Sequence, residues 1–489
     1  MSSSSTTTTN LSIPSGDQTN TPTSTSSSIT TTSLESNSSS NNNNGELVIA
    51  SARSSWQQTF FVILSKGMAA GILSLPSAAI ELGWVITMLS LLLFAVACTF
   101  TGYQIQVVKL HHPEVKSFAD AARKLCGYRF GVAVEIALLV TWVCEATQKL
   151  IAVADCIGSI YDGGLLSCQM YRIAIAALIF ILPSQCRDFH SVGKYLSVPS
   201  ISLIIVVVIV IAVALIEQLK NGDVDNSNGV ATFGQNTTVG LAPDITVFTF
   251  FAALGKLTFA YQSQSIFMEL ISETKDPKSF TKSSGYAFAV MCVMYSVMII
   301  IGYGVYGNST PDFLPDALKG SAVKTFTGIL LVLHYTVSYV VDIQCVHTAL
   351  HSKVFPKTYK IDNTIGRLHW FFITLCVILI SFLIANLIPF FGDVNSLIGS
   401  LFGSAIVFGF PSLYYLLSTR TSNTTTQGKK IESIPNNLVQ PKHGHPTSFC
   451  SFYSLYSVFL ERLVLLQVWS MTSCIAVYLS IVKLFIQLG

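Results

Sequence analysis

Several ionisable residues stand inside long apolar runs, where a charge is costly and is usually kept for ion or substrate handling. They are Lys66, Glu135, Glu145, Lys149, Asp155, Lys256, Glu269 and Asp342. Lys66 directly precedes the run Gly67-Met68-Ala69-Ala70-Gly71. A cation there can neutralise a carboxylate or take the place of a coupling sodium, and its mid-span position makes snorkelling to a surface awkward. Glu145 and Lys149 are i and i+4 on one helix and can neutralise each other. Asp342 has His334 two turns earlier; either can relay protons, or the two can form a packed polar pair. Lys66, Glu145, Asp342 and His334 are therefore the ion-coupling candidates. Glu269 and Asp155 lie toward span ends, where solvated caps are expected.

Backbone groups supply a second kind of chemistry. Within a bilayer they must be satisfied internally, so a broken helix exposes N–H and C=O groups that can hold a ligand. The segment SKGMAAGILSLPSAAIELGW (65–84) contains Gly67, Gly71 and Pro76 among small residues. It suits an unwound stretch. It suits a close helix-packing face equally well, since Gly67 and Gly71 have GxxxG spacing. The segment ALGKLTFAYQSQSIFMELISETKDP (253–277) is too polar in its middle to face lipid. There Lys256, Thr258, Tyr261, Gln262, Ser263, Gln264 and Glu269 all need partners or water. Transporters with inverted repeats pair an interrupted first helix with an interrupted sixth one. Only Gly255 acts as a breaker in the second segment.

Other chemistry is not visible. The 11 cysteines form no CxxC pair and no Cys/His ligand spacing, so no metal site is expected. Cys156 and Cys168 flank one loop, where a disulfide remains open. No HExxH, GxSxG or P-loop occurs and no catalytic residue is assigned, so an enzyme is not expected, nor an organic cofactor. No filter-like repeat suggests a channel. A net charge of +3 without a basic stripe excludes a nucleic-acid partner.

The elements that must carry these residues are membrane spans. Of 489 residues, 51% are apolar and only 11% charged, against about 25% charged in soluble domains. Residues 1–52 are almost wholly Ser, Thr and Asn, and read as a disordered tail without signal-peptide features. Apolar runs of about 20 residues, enough to cross a bilayer, then recur. They lie near 57–80, 83–108, 129–160, 170–186, 195–217, 245–270, 283–306, 322–350, 368–388, 394–418 and 463–487. The chain is thus an all-α polytopic membrane protein of about eleven spans. The core covers 53–418, a polar loop 419–462, and a final helix 463–489. With a cytosolic N-terminus, Lys and Arg favour the cytosolic segments by about five to one. The odd span count then places the C-terminus outside or in a lumen. The sequons at Asn236 and Asn308 fall on the outer side and are glycosylation candidates. Between the second and third spans, SFADAARKLCG (117–127) sets Phe118, Ala121, Ala122 and Leu125 opposite Arg123 and Lys124, an amphipathic surface helix.

Five segments carry a family resemblance. GILSLPSAAIELGW (71–84) resembles the first-helix motif of the amino acid/auxin permease family. FTGYQIQVVKLHHPEVKSFADAARKLCG (100–127) is similar to that family's second helix and following loop, notably in its fungal branch. LTFAYQSQSIFMELISETKDPKSFTKS (257–283) is similar to its sixth helix. GYGVYGNSTPDFLPDAL (302–318) and LIPFFGDVNSLIGSLFGSAIVFGFPSLYYL (387–416) complete the match, in the same order.

The resemblance implies a LeuT-like fold, two inverted five-helix repeats (about 57–217 and 245–418) plus an eleventh helix. It implies proton- or sodium-coupled symport of amino acids. Substrate positions carried over are Gly67, Met68, Ala69, Ala70 and Gly71 in the first helix and Thr258, Phe259, Ala260, Tyr261 and Gln262 in the sixth. Two opposed half-helix ends offer donors for a carboxylate and acceptors for an ammonium. The family often has Gly where this chain has Ala69, which unwinds less freely and can narrow a pocket. The lining near Phe259 and Tyr261 favours neutral substrates. Lys66, with no carboxylate-rich cation cage nearby, favours H+ over Na+. Further expectations are a monomer in a plasma or a vacuolar or lysosomal membrane. The alternative is an amino-acid sensor of the same fold.

Overall fold

The fold comes from a computed structural model of the protein. The structure describes residues 54–161, 163–187, 196–222, 233–359, 363–387 and 391–419. The tail 1–52, the loop 419–462 beyond its first residue, and the eleventh helix lie outside the described residues.

The described chain is helical, with eleven α-helices and a last helical stretch over 410–419. These are α1 Trp56–His111, α2 Phe118–Cys126, α3 Tyr128–Ile160, α4 Gln169–Ile181, α5 Ser197–Asn221 and α6 Val247–Ala260. They continue as α7 Phe267–Glu273, α8 Phe280–Tyr306, α9 Ser321–Val354, α10 Thr364–Leu387 and α11 Phe391–Ile398. The α11 helix runs on through two π turns, Gly399–Gly403 and Ala405–Gly409. Seven of the described helices are long and apolar enough to cross a bilayer, and two shorter ones are apolar. Large apolar side chains such as Leu89, Leu92, Leu93 and Val96 stay exposed along α1, as a hydrocarbon environment requires.

Local chemistry sets the ends. Ser55 and Gln58 form a reciprocal cap at the start of α1. Nearby, Ser54 zips onto the end of α7 through Ser54 N–H to Glu273 O (2.7 Å) and Lys275 N–H to Ser54 O (2.9 Å). The first two expected spans are one helix bent at Gly83, whose φ of 67° is non-helical. A side chain there would strike the Gly240 carbonyl, because the segment 238–242 lies against the bend, its Thr238 and Val239 carbonyls accepting from Trp84 and Val85 N–H. The amphipathic segment forms α2, with Phe118, Ala121 and Ala122 buried and Lys124 exposed. Cys156 and Cys168 are both free thiols, so no disulfide joins them.

Of the two readings open for Gly67–Gly71, the structure takes the packing face. The first helix is not unwound at Gly67–Gly71, since its backbone stays helical from Trp56 to the bend. The small residues serve close packing instead. A Cβ on Gly71 would collide with Ala260 of α6, and one on Gly67 with Met291 of α8. The sixth span is interrupted as expected: α6 stops at Ala260, Tyr261–Ser263 are non-helical, and a 3-10 turn at Gln264–Ile266 leads into α7.

Candidate functional site

Three helices deliver four charged side chains to one buried place. Lys66 comes from α1, Glu145 and Lys149 from α3, and Asp342 from α9. Lys66 Nζ donates to Glu145 Oε2 at 2.7 Å and to Asp342 Oδ1 at 2.6 Å. Lys149 Nζ pairs with the other oxygen of Asp342. No member is more than 5% exposed. Two cations and two anions balance, which is what makes such burial tolerable. Within α3, Glu145 and Lys149 make their direct ion pairs with other helices rather than with each other. Each turns to a neighbouring helix, because Lys66 and Asp342 arrive on the same stripe of α3.

The interrupted sixth span adjoins this cluster. Gln262 Nε2 donates to Glu145 Oε1 at 3.0 Å. That bond fixes the amide's orientation, since an oxygen turned toward the carboxylate would be repelled. The Gln262 carbonyl oxygen is buried and has no protein partner. Tyr295 of α8 ties the two candidate strands of backbone together, its hydroxyl lying 2.9 Å from Gly67 O and 2.8 Å from Ala260 O. One hydroxyl proton serves the two carbonyls alternately. A cavity of about 10 Å3, lined by Lys66, Gly67, Gly71, Glu145, Lys149, Phe259 and Gln262, sits among these groups. It has room for about one water.

The expected residues are thus distributed unevenly. Lys66, Glu145, Asp342, Gly67, Gly71, Phe259 and Gln262 converge. Thr258 returns its hydroxyl to Leu254 O at 2.9 Å, and Met68 is buried in the core. Ala260 packs on Gly71, and the Tyr261 ring lies 5.3 Å from that of Tyr295. Ala69 and Ala70 continue the helix between the two glycines. His334 hydrogen-bonds Ser200 of α5 through Nδ1, 2.8 Å from its hydroxyl, rather than a member of the cluster. Lys149 and Tyr295 join the site without having been singled out for it. Lys149 stood in the sequence as the partner of Glu145, while nothing marks Tyr295.

Two further features flank the cluster. At the end opposite α2, Lys256 of α6 pairs with Asp312, in the segment between α8 and α9, and donates to Ser77 Oγ of α1 at 2.8 Å. Burial alone would raise the Asp312 carboxyl, but the Lys256 ammonium beside it holds it below the usual carboxylate range. At the α2 end lies a cavity of about 720 Å3, reaching from exposed Lys116 and Lys275 inward to Trp142 and Cys345.

Residues 52–437 match the family described as transmembrane amino acid transporter protein. This chain belongs to that family. Among its relatives is the N amino acid transport system protein of Neurospora crassa, 24% identical over 77% of this chain and 79% of that protein. Another is amino acid transporter AVT1B of Arabidopsis thaliana, 25% identical over 73% of this chain and 63% of the relative. Among solved structures, MhsT in complex with L-phenylalanine superposes with a TM-score of 0.51 at 10% identity, covering 78% of this chain and 99% of that one. That likeness shows the fold, which is LeuT-like. The family member described here is accordingly a multi-pass integral membrane protein.

Proposed function

We propose that this protein carries amino acids across a membrane by proton-coupled symport, with neutral amino acids as the preferred cargo. The observation that carries the reading is the Lys66 ammonium clamped between Glu145 and Asp342 at the edge of the small cavity. A cargo ammonium competes with Lys66 for Glu145. The unpartnered Gln262 oxygen and the Ala260 carbonyl offer further acceptors, and Lys66 and Lys149 offer cations to the carboxylate. Phe259 and Gly71 leave only apolar contacts for a side chain.

Coupling follows from the same charges. The α1–α6–α8 packing carries Lys66, whereas α3 and α9 carry its two carboxylates. Rocking one group against the other must part an ion pair inside the protein, which costs several kcal/mol. A proton on a carboxylate removes the anion's share of that penalty and the cargo carboxylate can pair with Lys66, so cargo and proton move together. In this reading the N-terminus and the α2 end are cytosolic, the segment bearing Asn236, Asn308 and Asp312 faces outward, and the protein works as a monomer in a plasma or a vacuolar or lysosomal membrane. A pH dye inside proteoliposomes tests the coupling. Adding L-alanine or L-phenylalanine outside acidifies the lumen in wild type and not in Lys66→Ala; cargo entry without acidification contradicts it.

A further inference from the structure

The large cavity at the α2 end is lined by a buried donor and a buried acceptor that nothing in the protein satisfies. The donor is the indole N–H of Trp142 in α3, a residue only 3% exposed. The acceptor is Oε2 of Glu269 in α7, placed toward a span end where the sequence suggested a solvated cap. An indole N–H can only donate, and a carboxylate can only accept. Leaving either buried without a partner costs about 1–3 kcal/mol. Most other charges around the cavity are engaged: Arg123 and Lys353 both pair with Glu135, Arg123 also with Asp120, and Lys109 donates to the carbonyls of Pro113 and Val115.

The cavity's position is as telling as its chemistry. Trp142 lies one helical turn from Glu145, and Cys345, also in the lining, lies one turn from Asp342. The floor of the cavity is therefore about 4.5 Å, along either helix, from the charge cluster. Its volume of about 720 Å3 admits a whole amino acid, which the small cavity does not.

We infer that this cavity holds a second station for an amino-acid zwitterion, on the path between the charge cluster and the cytosol. Its ammonium is taken by Glu269 and its carboxylate by the indole N–H of Trp142. A dicarboxylate would leave Glu269 opposed by a like charge, and a diamine would leave the indole N–H without an acceptor. A ligand carrying both a donor cation and an acceptor anion answers both groups. The station rests on the transport reading above. Its loose, wide geometry suits release rather than tight selection.

The natural thiol of Cys345 reports occupancy. The experiment follows its modification by a membrane-impermeant methanethiosulfonate applied to the α2 face of the full chain, read by peptide mass spectrometry. L-Alanine or L-phenylalanine slows the labelling, about tenfold at ten times the Kd. Protection persists in Gln262→Ala, which damages the small cavity, and is lost in Glu269→Gln and in Trp142→Phe, which keeps the ring. Protection lost in Gln262→Ala but kept in the other two overturns the station, because occupancy of the small cavity would then be closing the path. A Cys345 that the reagent never reaches also overturns it. Uptake by wild type without protection overturns the station and leaves the transport reading intact. Neither uptake nor protection with any amino acid removes both.

Discussion

Replacing Lys66 by Met separates the electrostatic role of the cluster from its packing. Lys66 meets Glu145 at 2.7 Å and Asp342 at 2.6 Å. After Lys66→Met, Asp342 keeps Lys149, whereas Glu145 keeps only the amide of Gln262. One buried carboxylate is then uncompensated, a loss of about 3–5 kcal/mol. Adding Glu145→Gln restores the balance, with Lys149 and Asp342 still paired. The double variant recovers about 2–3 kcal/mol of the loss. Equilibrium unfolding of wild type, both single variants and the double variant in mixed micelles measures this as a cycle. The double variant, though stable, accumulates no cargo under a proton gradient. Additive losses, or a silent Lys66→Met, would refute the reasoning that these charges hold one another.

Further outcomes follow from other parts of the molecule. Tyr295→Phe removes the hydroxyl shared by Gly67 and Ala260, and lowers stability by about 0.5–1.5 kcal/mol while raising KM in uptake assays. Gly71→Leu drives a side chain into Ala260 and abolishes uptake while the chain still reaches the membrane, which surface biotinylation and uptake together show. For Asp312, a lowered folded pKa means that its pairing with Lys256 contributes above the unfolded value of about 3.9 and is lost as pH falls through the lower folded value. Acidifying the solution on the Asp312 side from about pH 7 to pH 5 therefore leaves this clasp shut, whereas Asp312→Asn loosens it at both, as hydrogen exchange of residues 75–80 reports. Asn236 and Asn308 are both exposed, and Asn308 N–H bonds Asn236 O at 3.1 Å, so the two sequons share one patch. In a eukaryotic host, glycosidase treatment shifts wild type, and Asn236→Gln with Asn308→Gln removes the shift.

Much of this architecture is written locally in the chain. Apolar length gives the spans, and a polar middle that no lipid would accept marks the interruption at Tyr261–Ser263. The alternation of Ala and charge in 118–125 gives α2 outright. What spacing does not carry is the rotation of one helix against another. Gly67 and Gly71 suit a break and a tight contact equally in sequence, and only the arrival of Ala260 and Met291 decides for contact. Glu145 and Lys149 look like a self-contained pair until α1 and α9 bring Lys66 and Asp342 to the same face. Tyr295 is one aromatic among many in apolar runs, and its hydroxyl matters only because two distant backbones meet beneath it. His334, which the sequence leaves open as a relay or as a packed polar partner of Asp342, is bonded to Ser200 on another helix, a pairing that spacing along its own helix does not reveal.

The central claim, proton-driven accumulation through the Lys66 site, is tested most directly by radiolabelled amino-acid uptake into proteoliposomes. An acid-outside gradient, a sodium gradient and no gradient are compared, for wild type and Lys66→Ala. The account predicts accumulation with the proton gradient alone, sodium-independent and absent in Lys66→Ala. Accumulation that requires sodium, or amino-acid binding without accumulation under any gradient, contradicts it; the latter outcome would make the protein a sensor.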